Sequence, residues 1–338
     1  MEKIEFIIKT VLVSIFKNAI QKFIALSLLS FLFSAKVGQA QAISRYNPDT
    51  VLTVILDKDV IKTARAGLYV EDFIEEIKKD TSFYQAFRNM KRYAFKAENT
   101  ILTYNKSNKV KGRIFRRILH RNDNNGHKMT YLAKESSGEL YKRNGNYELY
   151  TVEMFDYIFM NEYNSDFTEA TTGSILSGKG GKNESYKDKL KTLVFSPGKP
   201  IKGIPFISDK TEIFTNDMRK NYNYSFASGK YLDSIPVYKF KVKMKPELSD
   251  WTKDGIMIKE LTTIFDKRNF QILGRYIDMK MDNMAFSFDV QMNIEMTYFG
   301  ENLLPVKISY QGNWDIPFKK EERASFLVEH KDYKVRKP

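Results

Sequence analysis

Hydrophobic and polar positions recur with two different periods along the chain. Between Val70 and Met90 the period is close to 3.6. Val70, Phe73, Ile74 and Ile77 fall on one stripe of a helical wheel, with Glu71, Glu75 and Lys78 elsewhere on it. Asp80-Thr81-Ser82 interrupts this run and can cap a second helix, whose apolar face is spaced by Phe83, Phe87 and Met90. Helices this short are marginal alone in water, so both need a surface to pack on.

After Tyr93 the period falls to 2. Ala94–Tyr104 reads as a strand, and Ile114–His120 and Lys128–Ala133 flank Asn125-Gly126, a tight-hairpin signal. Gly138–Lys142 and Tyr147–Val152 flank a second such signal, Asn144-Gly145. Asp166–Asn183 is polar and rich in Gly and Ser, which predicts a surface loop. Tyr186, Leu190, Leu193 and Val194 suggest a short helix stopped by Pro197-Gly198, with Pro200 and Pro205 beyond. Alternation returns at Tyr238–Met244 with interleaved Lys239, Lys241, Lys243 and Lys245, which reads as a solvated lysine face. Ile256–Phe265 and Phe270–Met281 flank the turn Asp266–Asn269, and Asp282-Asn283 makes the next turn. Val306–Tyr310 and Ala324–His330 supply the last strands.

The longest alternation runs from Met284 to Tyr298, fifteen residues with apolar and polar positions in strict turn. Fully extended, it would span roughly 50 Å, against an ordinary strand of about five or six residues. So long a strand must twist and curve, with one face packed and the other meeting water. The predicted fold is therefore α+β and mainly antiparallel β: a long, strongly curved sheet, an unclosed barrel, wrapped around amphipathic helices. A transmembrane β-barrel is the rival. The helices at 70–91, the lysines at 239–245 and the terminal Lys337-Pro338 speak against it.

Ahead of this pattern, Met1 to Ala42 has the form of an export signal. Lys3, Lys9, Lys17 and Lys22 lead an apolar run, Phe23–Ala35, and Ala40-Gln41-Ala42 supplies small residues for a cut before Ile43. The run is short for a membrane span. The expected organisation is a signal peptide over 1–42, a single domain over 43–333 with helices near 70–91 and an inserted loop region near 160–220, and a basic tail over 334–338.

Composition then narrows the chemistry. The chain of 338 residues has no Cys, three His and a net charge of +14. Removing 1–42 leaves 296 residues at +11. The absence of Cys excludes disulfides, thiol nucleophiles and thiolate metal sites. An exported basic protein has anionic membrane surfaces or other proteins for partners, and no nucleic acid is expected. Aromatic residues make up 14% of the chain, which argues against disorder.

The combination of an export signal, amphipathic helices and long meandering strands with turns like Asp266–Asn269 resembles the periplasmic lipoprotein carriers and receptors (LolA/LolB-like) of the Gram-negative envelope. In that family an unclosed barrel covers an apolar cavity that helices line or plug. The resemblance runs from about Val70 to Tyr333 and is one of architecture without a diagnostic motif, so no site residue is carried over from it.

Candidate chemistry is sparse. Gly173–Gly180 nearly spells a phosphate-binding loop, but Gly180 stands where Ser or Thr should reach a magnesium ion. His120, Asp123 and His127 flank a turn where polar residues belong anyway, and Arg121 and Leu132 spoil a calcium loop. No metal, cofactor or catalytic residue is expected. Arg113, Arg116 and Arg117 are candidates for contact with an anionic membrane or a partner protein. Met284, Phe286, Phe288, Met292 and Met296 form a candidate apolar ligand face, since Met adapts to varied apolar partners. The expected function is a non-enzymatic periplasmic or outer-membrane-facing protein that binds a lipid, or the acyl chains of a lipoprotein, on the concave face of its sheet. The alternatives are an outer-membrane-associated scaffold or adaptor and, beyond that, a secreted hydrolase relying on carboxylates.

Overall fold

The computed structural model describes residues 54–56, 68–90, 92–123, 126–156, 159, 197–199, 208–282, 287–315 and 320–335. The predicted signal, the loop at 166–183, the near-motif at 173–180, the helix at 186–194, and Met284 and Phe286 lie outside the described residues.

The two amphipathic helices form where the 3.6-residue period places them. In α1 (Val70–Lys79) the Asp72 carboxylate accepts the Tyr69 N–H at 2.6 Å. Acidic residues in its first turn and lysines in its last complement the helix dipole. Asp80 starts α2 (Ser82–Met90), accepting the N–H groups of Ser82 at 2.9 Å and Phe83 at 3.2 Å. The buried residues of α1 are Phe73, Ile74 and Ile77, and α2 buries Phe83, Phe87 and Met90 among others.

The strands are β1 (Val54–Leu56), β2 (Tyr93–Tyr104), β3 (Val110–Asp123), β4 (Gly126–Gly138), β5 (Tyr222–Tyr231), β6 (Ile235–Met244), β7 (Ile258–Asp266), β8 (Ile272–Asp282), β9 (Ser287–Phe299), β10 (Asn302–Asp315) and β11 (Glu322–Val335). Short helices α3 (Tyr150–Phe155), α4 (Asn216–Arg219) and α5 (Asp250–Gly255) lie between them. The eleven strands of the described residues form one sheet in the order β1-β5-β6-β7-β8-β9-β10-β11-β2-β3-β4, antiparallel throughout. Among the described residues no ladder joins β1 to β4, so the sheet is open. β5 through β11 is one uninterrupted meander, and β2 docks on the free side of β11.

Some elements differ from the expected set. Around Asn144-Gly145 there is a single bridge, Tyr141 to Tyr147, and the second half of the expected strand after it belongs to α3. Leu149, Val152 and Phe155 are three apart and all buried, so helical spacing decided that segment. β5 was not expected, because Ser225, Ala227, Ser228 and Gly229 weaken its alternation. Gly138 ends β4 at a φ of +79°, where a Cβ would collide with the Lys111 carbonyl, so only glycine fits.

Register assigns the two faces of the sheet. Phe240, Thr263, Arg275, Ile294, Ile308, Val328, Asn99 and Arg116 are successive cross-strand partners and share one face. The three main helices pack on it. The Phe73 ring lies 4.8 to 5.5 Å from those of Phe226, Phe240 and Phe265, Phe83 sits on Arg275, and Phe155 stacks on Phe326 at 4.0 Å. The sheet also curls. The Tyr231 hydroxyl of β5 donates to the Met296 carbonyl of β9 at 2.8 Å, with three strands lying between them. In a flat sheet those strands would stand about 19 Å apart. Tyr231 pairs with Ile235, which alternates in step with Lys239, so this end of the sheet curls toward the face opposite the helices, and the expected wrapping of the sheet around the helices is corrected: the helices lie on its outer side there.

Candidate functional site

The candidate apolar face of β9 is covered, and it is the helix-bearing face, not the one toward which the β5 end curls, so the expectation that it lines the concave side is corrected. Phe288, Met292 and Met296 are buried, and they alternate in step with Ile294 on the helix-bearing face. Phe288 stacks on Trp314 at 4.8 Å, whose indole N–H donates to the Tyr310 hydroxyl at 2.8 Å. Met279 and Met281 of β8 pair with Val290 and Phe288, so the same face carries four methionines from two neighbouring strands. Met90 of α2 is also buried in this core.

A charge lies within that apolar surface. Arg275 is fully buried, with its guanidinium 4.4 Å from the centre of the Phe83 ring. Burial pulls its pKa down to about 10, against the opposing attraction of Asp80. Sequence reasoning passed over this residue. The signal was there: position 275 falls on the apolar register of Leu273, Ile277, Met279 and Met281.

The opposite face of the central strands is polar, as the alternation predicts, but it is not solvated. Gln291, Asn293 and Glu295 are 2%, 0% and 6% exposed. Ser309, Thr262 and Glu260 are buried beside them. The Asn293 amide donates to Glu295 at 2.8 Å, and the Thr262 hydroxyl donates to Glu260 at 3.1 Å. Burial raises the Glu295 pKa, opposed by Lys307 and Asn293. Among the described residues the Asn293 carbonyl oxygen and the Ser309 hydroxyl have no hydrogen-bond partner. The lysines of β6 belong to this face: Lys239 is buried, and Lys241 lies 3.5 Å from Glu260. The expectation of a water-facing surface here is therefore corrected. Curl and flanking strands enclose these positions, which alternation along one strand cannot register.

The three candidate arginines of β3 do not form one surface. Arg113 and Arg117 are exposed, with Glu135 at 3.7 Å and Glu98 at 2.8 Å respectively. Arg116 points to the helix-bearing face and is buried, donating to Asp156 at 2.5 Å and to the Tyr147 hydroxyl at 2.6 Å. Burial alone would lower its pKa, but those two partners raise it above the ordinary arginine value. Alternation in a strand sends adjacent residues to opposite faces, which is why 116 and 117 part.

Of the histidines, His120 stacks on Phe95 at 4.4 Å, and His330 meets the same ring edge-on at 5.4 Å. His330 Nδ1 lies 3.1 Å from the Pro305 carbonyl, and burial pushes its pKa down to about 4. Among the described residues no cluster of three or more His, Asp or Glu side chains could hold a metal ion. No helix among them is long and apolar enough to cross a membrane.

No family model matches the chain, and no curated protein is similar to it in sequence. Among solved structures it is similar to a DUF1329 family protein from Desulfovibrio piger, at 8% identity and a TM-score of 0.23, over 79% of this chain and 92% of the other. At that TM-score the likeness carries no functional argument.

Proposed function

We propose that this is a non-enzymatic protein of the bacterial envelope, exported to the periplasm, that holds a lipid-like apolar ligand between its curved sheet and helices α1 and α2. The observation that carries the reading is the cluster Met279, Met281, Met292 and Met296, buried on the helix-bearing face of β8 and β9. Methionine is unbranched and polarisable, so a surface rich in it repacks around different shapes at low cost. The helices contribute aromatic side chains, Phe73, Phe83 and Phe87, to the same core. Short amphipathic helices held by packing are suited to moving aside, because their stability comes from the surface they cover. In this reading α1 and α2 plug the site in the empty state, and an acyl chain replaces their contacts in the loaded state.

Native mass spectrometry of gently purified protein, followed by solvent extraction, tests this reading. The expected result is a mass above that of the polypeptide and lipid in the extract. Protein that is always bare, and that also fails to take up a fluorescent fatty acid, would overturn it.

A further inference from the structure

More than half of the net positive charge lies in and beside one hairpin. Residues 106–143, which contain β3 and β4, hold eleven Lys and Arg against three Asp and Glu, a net +8. β4 is the last strand of the sheet, and among the described residues nothing pairs with its outer edge. On β3 the face opposite the helices presents Arg113, Phe115, Arg117, Leu119 and Arg121 in alternate positions, with every arginine exposed and both apolar residues half-buried. The row is roughly 27 Å long. Phe115 lies between two guanidinium groups, 5.6 Å from that of Arg113 and 5.8 Å from that of Arg117. On β4, Tyr131 and Leu132 are 44% and 49% exposed, and Lys134 lies 5.3 Å from the Tyr131 ring.

We propose that the β3–β4 hairpin docks on an anionic phospholipid bilayer, with Arg113, Arg117 and Arg121 meeting headgroup phosphates and Phe115 and Leu119 entering the interface. Guanidinium groups bind phosphate oxygens in a bidentate fork, and apolar residues between cations settle at the boundary of headgroups and acyl chains. The ion pairs that Arg113 and Arg117 now make are largely exposed, so little is lost when phosphate replaces the carboxylates. An added β-strand from a partner fits this edge less well. Lys128 and Lys134, with the irregularity opposite Arg117 and Ile118, are features that discourage edge pairing. The proposal is independent of the ligand site, which uses the other face of the sheet.

Vesicle flotation of the purified protein tests it. Binding is expected to phosphatidylglycerol–phosphatidylcholine vesicles and not to phosphatidylcholine alone, and to fall steeply as salt is raised. Charge reversal at three positions, R113E with R117E and R121E, should weaken binding by about two orders of magnitude, about fivefold per cation. The matching Arg→Lys variant should retain most of it, and F115S with L119S should weaken binding while leaving its salt dependence in place. Circular dichroism checks that each variant is folded; if the triple reversal is not, the single R121E variant and the salt series carry the test. Absence of binding at low salt, equal binding to phosphatidylcholine alone, or indifference to charge reversal would each overturn the proposal. Capture by polyglutamate without vesicle binding would overturn it in favour of an acidic protein partner.

Discussion

β9 and β4 belong to one sheet and have thirteen residues each, yet their surroundings are opposite. β9 is the sixth strand of eleven, and its central residues are buried on both faces. β4 is the last strand and is mostly exposed on both. Along β9 even Gln291, Asn293 and Glu295 lose water, while along β4 even Tyr131 and Leu132 keep it. Position in the ladder, more than the alternation within either strand, separates a closed centre from an open basic margin. The ligand reading depends on the first region and the bilayer proposal on the second, so the contrast can be attacked from either side.

The largest test compares matched truncations. Phe73→Ala removes a buried ring packed on three strands and is expected to cost about 3–5 kcal/mol. Tyr131→Ala on β4 should stay within about 0.5 kcal/mol. Urea denaturation of both variants measures the difference, and comparable losses would break the distinction between centre and margin.

His330 sits where the two regions join, on β11 against β2. Its folded pKa of about 4 lies below the ordinary 6.5. The unfolded chain therefore takes up the proton first as pH falls. Stability is fully present above pH 6.5 and drains away toward pH 4, by about 3 kcal/mol at 1.36 kcal/mol per pKa unit. Denaturation midpoints across that window should show the slope in the native protein and a flatter profile in His330→Asn.

The arginines of β3 sharpen the comparison within a single strand. Arg116→Met leaves the Asp156 carboxylate and the Tyr147 hydroxyl without their donor. Breaking a fully buried pair costs roughly 3–5 kcal/mol, but Asp156 is 29% exposed, so about 2 kcal/mol is expected here. Arg113→Met and Arg117→Met should barely change stability, because their pairs face water. Thermal melts of the three variants should separate 116 from the other two.

The smallest effect belongs to the β5–β6 turn. Leu232 and Asp233 both have positive φ, at 49° and 60°, a conformation that suits Asn-Gly and strains leucine. Leu232→Asn should raise stability by about 0.5–1 kcal/mol, measured as a higher urea midpoint with an unchanged slope.

Much of this was legible in the chain. The spacing of Phe73, Ile77, Phe83 and Phe87 places both helices, and the Asp80-Thr81-Ser82 break marks where the second can be capped. The alternations located β2, β3, β4 and β6 through β11, because a half-buried strand must alternate whatever its partners are. Elements whose local signal was weak or ambiguous were misjudged: β5, diluted by small residues, and α3, hidden behind an Asn-Gly turn. The buried arginine at 275 was visible only as a charge on an apolar register.

Sequence by itself determined the periods, hence the elements, which face of each strand is apolar, and the concentration of charge in residues 106–143. It could do so because those properties are set by bonded geometry and by residues a few positions apart. Tertiary structure decided what lies against each face. It brought Tyr231 to Met296 across three strands, enclosed the polar row of β9, and sent Arg116 to Asp156 while leaving Arg113 and Arg117 in water. Those outcomes depend on the order of strands in the ladder and on how far the sheet curls, and both arise from contacts between residues remote in sequence.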